Sequence, residues 1–386
     1  MNDILIDLVA VSREYGSDPQ WVVAGGGNTS LKVDDILYIK ASGFPLATID
    51  EGGFTRMDRS KLAAIWNADY PAGDDTAAVA ERESLVLADM MAACMPGEDK
   101  RPSVEALLHD LLPWPLIVHL HPTMINGLTC GMKGQAIAEE IFQEAQEWIP
   151  VTDPGYVLAK IIKEALENRT ARGIKAPDFI FLANHGVFVG GADIGEIREK
   201  YSQLKKSLEE RLVRSPGDLP VKTNFPGVAA KLEILRKIAS GFFGESMKSA
   251  FVCGGELEKY LLDSDSSAPL TGSLTPDHIV YAGPGAHYLE AEGSAEEWET
   301  AAKSFSDFWG KPPNIILLGG ESESAGAFVA ASGQKALDNA VLLLGNALEV
   351  CAYTESFGGP MLLEERFIRF IVDWEVENYR SKLAST

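Results

Sequence analysis

Two histidines one residue apart, His119-Leu120-His121, follow the short apolar run Leu116-Ile117-Val118, with Pro113 and Pro115 before it and Pro122 after it. That bounded run reads as a brief buried strand. Residues i and i+2 of a strand point to the same face, so both imidazoles address one point in space. A fold that hosts this stretch must build a polar pocket on one side of an otherwise apolar sheet. The imidazoles are then either hydrogen-bonded core groups or metal ligands. A catalytic zinc centre needs three protein ligands and an open position. Asn184-His185-Gly186, after the apolar run Phe179-Ile180-Phe181-Leu182, offers the third. The chain holds six histidines, and glycine beside His185 permits a close approach of backbone and side chain. The metal reading is favoured.

An enzyme built on such a centre needs a proton-transfer group, and a carboxylate is the natural one. Glu105 lies near the start of the helix that leads into the histidine strand. From spacing alone it reads first as a first-turn glutamate favouring the helix dipole, a contribution of about 0.3–1 kcal/mol. Acid–base duty is the alternative. His109, one helical turn on, shares its face and either pairs with it or sits in a packed interface. Gly25-Gly26-Gly27-Asn28-Thr29-Ser30 and Ser42-Gly43 are candidate anion cradles, since glycine lets backbone N–H groups approach an oxyanion; plain turns are the competing reading. Gly283-Pro284-Gly285 lacks the third glycine and the helix of a dinucleotide fingerprint.

At 386 residues the chain exceeds one ordinary core, so two domains are expected. A formal net charge of −22 argues against nucleic acid or an anionic membrane as partner. Four cysteines without a C-x-x-C pair indicate neither a disulfide framework nor a thiolate metal site. Met1-Asn2-Asp3 lacks the basic start of a secretory leader, and no apolar run approaches the roughly 18 residues of a membrane span. A reduced, cytoplasmic protein is expected.

The periodicities predict a helix from Ile4 towards Gly16 and a hairpin of Leu31-Lys32-Val33 with Ile36 to Lys40. Helices follow over Arg59 to Asn67, Asp75 to Ala93, Lys133 to Trp148 and Gly155 to Asn168. Asp193, with Glu196 completing a capping box, opens a long charged helix to about Val213. Arg214 to Pro220 reads as the start of a linker, followed by a helix over Val228 to Ser240. Beyond Gly244 the spacing predicts a loop from Leu262 to Pro276, a strand over His278 to Ala282, a helix over Ala295 to Trp309 and a strand over Asn314 to Leu318. Helices at Gly333 to Cys351 and Leu363 to Tyr379 close the chain. Strand and helix alternate, which reads as α/β. The run Asn314-Ile315-Ile316-Leu317-Leu318 into Gly319-Gly320 echoes Phe179 to Gly186 without a histidine, so a repeat there would carry no metal site. The expected domains are residues 1–243, holding the metal and the chemistry, and a smaller α/β domain at 244–386.

Gly27-Asn28-Thr29-Ser30, Lys40-Ala41-Ser42-Gly43, Ser103-Val104-Glu105, His119-Leu120-His121-Pro122 and Asn184-His185-Gly186 occur in the order seen in class II aldolase/adducin proteins. Over roughly residues 3–212 the chain resembles the fuculose-1-phosphate and rhamnulose-1-phosphate aldolases of that family. The resemblance implies an α/β/α sandwich with a largely antiparallel central sheet, assembled as a homo-oligomer, normally a tetramer. It implies a Zn²⁺ (or another divalent metal) held by His119, His121 and His185, with Glu105 as acid/base. Gly27, Asn28, Ser42, Gly43 and Ser103 would bind a phosphate. The implied reaction cleaves a ketose 1-phosphate to dihydroxyacetone phosphate and an aldehyde. The alternatives are a sugar-phosphate epimerase or decarboxylase on the same site, or a non-enzymatic adducin-like module. Val104 departs from members that place a second serine there. Tyr201 is the candidate for the family's C-terminal tyrosine. Leu274 to Val280 resembles the piece after the aldolase module in bifunctional rhamnulose-phosphate aldolase/dehydrogenases, without the dehydrogenase.

Overall fold

The computed structural model describes residues 5–73, 76–223, 226–320 and 324–374. The chain packs as two compact units that divide at Leu212, with the short segment Cys130–Met132 going to the second. The division precedes the expected Gly244, and the helix Ala229–Phe243 supplies the reason. Its Leu232, Leu235 and Ala239 pack with Phe251, Leu289, Trp298 and Phe328 in the core of the second unit.

The first unit is built on seven strands: β1 (Asn28–Val33), β2 (Ile36–Lys40), β3 (Phe54–Asp58), β4 (Leu116–Leu120), β5 (Gln146–Ile149), β6 (Phe179–Leu182) and β7 (Gly186–Gly191), in the order β3-β2-β1-β4-β7-β6-β5. Every neighbouring pair is antiparallel except β5 with β6. On one face Leu37, Ile39, Ile117, Ile180 and Phe188 form a core with Leu62, Val86, Leu107 and Ile162 from the helices Arg59–Ile65, Thr76–Ala92, Ala106–Leu111 and Tyr156–Ala171. The helix Ile194–Glu209 packs on β7 and lays Tyr201 against the other face, where its hydroxyl donates to the carbonyl of Val118 at 3.0 Å. The result is the expected α/β/α sandwich. The hairpin turn is Asp34-Asp35, with Asp34 at φ 50°. Asp193 caps its helix as expected, accepting from the Glu196 N–H, while the Glu196 carboxylate takes the N–H of Ala192 instead of closing the box.

The second unit has five strands: β8 (Val221–Lys222), β9 (Lys248–Cys253), β10 (His287–Glu290), β11 (Ile315–Gly319) and β12 (Gly326–Ala331), ordered β10-β11-β12-β9-β8. Only β10 and β11 are parallel. This is the order and sense of β5-β6-β7-β4-β1. The registers agree as well. Leu182 faces Gly186 as Leu318 faces Gly326, and His119 faces Phe188 as Phe251 faces Phe328. A Cβ on Gly186 would lie 2.4 Å from the carbonyl oxygen of Leu120, and one on Gly326 would lie 2.8 Å from that of Val252. The strand positions of His119 and His121 therefore correspond to Phe251 and Cys253.

Several local expectations are corrected. Residues 276–282 form the helix Pro276–Ala282 rather than a strand, because Pro276 sits at the first helical position and outweighs the β-branched Ile279-Val280. The expected helix over Lys133 to Trp148 ends at Phe142, where Gln143 takes φ 48°, and Trp148 lies on β5. Inside the expected loop Leu262 to Pro276 stands the helix Ser264–Thr271, started by an Asp263/Ser266 capping box. Asp75, and the end of the expected final helix from 375 to Tyr379, lie outside the described residues, as does Ile4.

Candidate metal centre

Register brings the site together. β1 pairs Asn28 with His119, and β4 pairs His119 with Phe188 and Leu120 with Val187. The glycine at position 27 is required where β1 begins: φ is 75°, and a Cβ would stand 2.7 Å from the His119 carbonyl oxygen. Gly186 is required at the start of β7, where a Cβ would also meet His121 Cδ2 at 2.7 Å. Asn184 adopts φ 54°, a left-handed conformation that asparagine tolerates better than most residues, and this turns the chain so that His185 precedes Gly186 at the strand end. These two close approaches and one sharp turn let three imidazoles from two strand ends converge.

Their ligating nitrogens all lie within 4.8 Å of one another, the one such cluster among the described residues. The Nε2 atoms of His119 and His121 are 3.0 Å apart. A tetrahedral ion with bonds of about 2.0–2.1 Å separates its ligand nitrogens by about 3.4 Å, so the His119–His121 pair stands within a few tenths of an ångström of a ligated spacing, while the 4.8 Å span of the three asks the rings to draw in by about an ångström. His119 is fully buried and stacked on Phe188 at 4.0 Å between ring centroids. Its Nδ1 lies 3.1 Å from the carbonyl oxygen of Val187. With Nδ1–H donating there, the tautomer directs the Nε2 lone pair into the cluster, as the backbone partner of a metal-ligating histidine typically does.

Glu105 occupies the N-cap position of Ala106–Leu111 but caps nothing. Its side chain turns into the site and is buried. Oε2 accepts from Asn28 Nδ2 at 2.5 Å. Oε1 makes no hydrogen bond and points at the histidines, 3.4 Å from His119 Nε2 and 4.0 Å from His185 Nε2. A buried carboxylate oxygen with no donor of its own, beside the imidazole nitrogens of His119 and His185, suits a cation at the centre of the cluster. The donor set therefore fits a divalent metal.

Around this centre Asn28 Nδ2 also donates to Ser103 Oγ at 3.2 Å, and Ser103 Oγ accepts the Glu105 N–H at 3.3 Å. Asn28 Oδ1 meets His109 Nε2, and His109 Nδ1 meets Ser30 Oγ at 2.7 Å. Burial pushes the His109 pKa down to about 3, so the ring is neutral. His109 thus reaches Glu105 through Asn28 rather than as a direct partner. Ser42 and Gly43 are tied in through the backbone: Ser42 N–H donates to the Arg101 carbonyl and Ala41 bridges Pro102, which sets the 42–43 turn beside the segment entering Glu105. Tyr201 stays on the opposite face of β4, its hydroxyl engaged by Val118. The aromatic partner that composition did not single out is Phe188, whose signal was its place in the strand run after His185.

The family model of the class II aldolase and adducin N-terminal domain matches residues 6–212. The chain belongs to that family. Within it, this class II aldolase-family chain is 28% identical over 195 residues to a protein of Bacillus subtilis (strain 168) named uncharacterized oxidoreductase YuxG, a match covering 48% of this chain and 26% of that protein. The chain thus spans about a quarter of the length of that relative. Among solved structures, the N-terminal class II aldolase domain of a conserved protein from Thermoplasma acidophilum is 26% identical, covering 54% of this chain and 94% of that one at a TM-score of 0.46. L-fuculose-1-phosphate aldolase from Thermus thermophilus is 16% identical, covering 53% and 91% at a TM-score of 0.34. No helix among the described residues is long and apolar enough to cross a membrane.

Proposed function

We propose that the chain is a zinc-dependent aldolase that cleaves a ketose 1-phosphate, or a related sugar, to dihydroxyacetone phosphate and an aldehyde. The observation that carries this reading is the convergence of His119, His121 and His185 on one point, faced by an unbonded carboxylate oxygen of Glu105. Zinc, or another divalent ion, held by the three histidines would supply Lewis acidity for the oxygen that gains charge as the carbon–carbon bond breaks. Glu105 gives and takes the proton at Oε1, while Asn28 holds Oε2. The substrate phosphate is bound by neutral donors, the backbone N–H groups of Gly27 and Gly43 with the Ser42 and Ser103 hydroxyls, which suits a protein of net charge −22. Asn28 joins them by exchanging its 3.2 Å bond to Ser103. Val104 leaves the phosphate one hydroxyl fewer. The active protein is a cytoplasmic homo-oligomer, a tetramer.

Residues 244–386 belong, in this reading, to an accessory repeat of the same fold that carries no metal. The matching strand order and registers support it.

The test is a panel of ketose 1-phosphates incubated with zinc-loaded protein. Release of dihydroxyacetone phosphate is expected. Formation of an epimer, or of carbon dioxide, without carbon–carbon cleavage would replace the aldolase with the corresponding alternative, and failure to take up metal would leave an interaction module.

A further inference from the structure

We infer that His109 is a positioning residue, which through Asn28 fixes the orientation of the Glu105 carboxylate. The inference rests on Glu105 being the acid–base group proposed above. An ionised carboxylate only accepts hydrogen bonds. The group Asn28 presents to Glu105 Oε2 at 2.5 Å is therefore its NH₂, and this leaves Oδ1 facing His109 Nε2. Nε2 must then carry the proton. Nδ1 of the neutral ring is consequently an acceptor, and the hydroxyl of Ser30 at 2.7 Å donates to it. The polarity of the whole chain, Ser30 to His109 to Asn28 to Glu105, follows from one negative charge at its end.

The consequence is mechanical. A side-chain amide is nearly symmetric in shape, so packing alone does not choose between its two orientations. Without a donor at position 109, Asn28 Oδ1 is a buried acceptor lacking its partner, and rotation of the amide would set that oxygen against the carboxylate. Glu105 would then lose the bond that holds Oε2 away from the histidines and leaves Oε1 towards them. His109 itself is fully buried, its ring edge-on to Phe188 at 5.4 Å between centroids, and takes no part in proton exchange with substrate. Its contribution is the direction of one N–H.

The first test is nitrogen-detected NMR of the histidine side chains in the intact protein, free and zinc-loaded. His109 is expected as the Nε2–H tautomer in both; an Nδ1–H tautomer would overturn the inference whatever reaction the protein performs. The second is kinetic. His109→Leu is expected to lower kcat about 10–100-fold, as loss of an outer-shell partner typically does, with KM and zinc content little changed. His109→Gln, whose amide nitrogen can replace the Nε2–H donor, should recover most of that loss. A folded His109→Leu protein with wild-type kcat, or a glutamine variant as impaired as the leucine one, contradicts the assignment. Should His109→Leu not fold, the tautomer and the glutamine variant decide. A wild-type protein that cleaves no sugar phosphate counts against the proposed function, while the tautomer still decides the orientation of Asn28.

Discussion

Glu105 separates what a side chain's position in a helix suggests from what its surroundings make of it. It stands where a glutamate would favour the helix dipole, yet its carboxylate is drawn into the site by Asn28, 77 residues earlier. Glu105→Gln preserves shape and the contact to Asn28 but removes the proposed base. Turnover is expected to fall about 10²–10⁴-fold with zinc content retained, measured as product release beside metal analysis; undiminished turnover would dismiss its role. The histidines were legible in the sequence because strand geometry puts i and i+2 on one face, and because two ligands demand a third. Glu105 stayed ambiguous since its direction depends on a partner that only the β1–β4 register supplies. Asn28 read as a phosphate group for the same reason, and its place beside Glu105 and His109 was invisible until strands paired. Titration at this scale has a definite sign. His109 and His278 are buried, with pKa values pushed from an ordinary 6.5 down to about 3 and about 4. The unfolded chain therefore binds more protons than the folded one below 6.5, and stability falls as pH drops from 6.5 towards 4. Each such group contributes a slope of up to about 1.4 kcal/mol per pH unit. Urea midpoints at pH 7 and pH 5 measure it, and His278→Leu should reduce the difference between them; an unchanged difference would contradict the assignment to buried imidazole.

At the level of elements, the sheet could be read where apolar runs were long or paired by a tight turn, as with β1, β2, β4 and β6. It could not be read where the strand was short or weakly patterned. Gln146–Ile149 follows a helix so closely that its apolar positions extend the helical period, and β8 has two residues. The Pro276–Ala282 helix shows a starting signal overriding strand propensity. The elements that bear on function are the tightest. Gly186 begins β7 against the carbonyl of Leu120 and the ring of His121. Gly186→Ala must move one or the other, so zinc affinity is expected to drop at least about tenfold in a competition titration with a chelator, while the fold survives by circular dichroism. Wild-type affinity would show that the strand end does not hold the ligands in place.

For the whole chain, two sheets of matching order carry different residues at matching positions. His119 and His121 correspond to Phe251 and Cys253, and Ala325 precedes Gly326 where His185 precedes Gly186. The sequence hinted at this through one repeated strand-and-glycine pattern, but β8 and β9 were too weakly marked to reveal the rest. One metal ion per chain is expected in the purified, zinc-loaded protein, and none in His119→Ala; a remaining equivalent would place a second site in the other unit. The central claim is that three imidazoles surround a single divalent ion, and X-ray absorption of the zinc-loaded protein reads that shell directly. The account predicts three imidazole nitrogens at about 2.0–2.1 Å with the remaining donors oxygen. A shell with sulfur, or with fewer than three imidazoles, would contradict it.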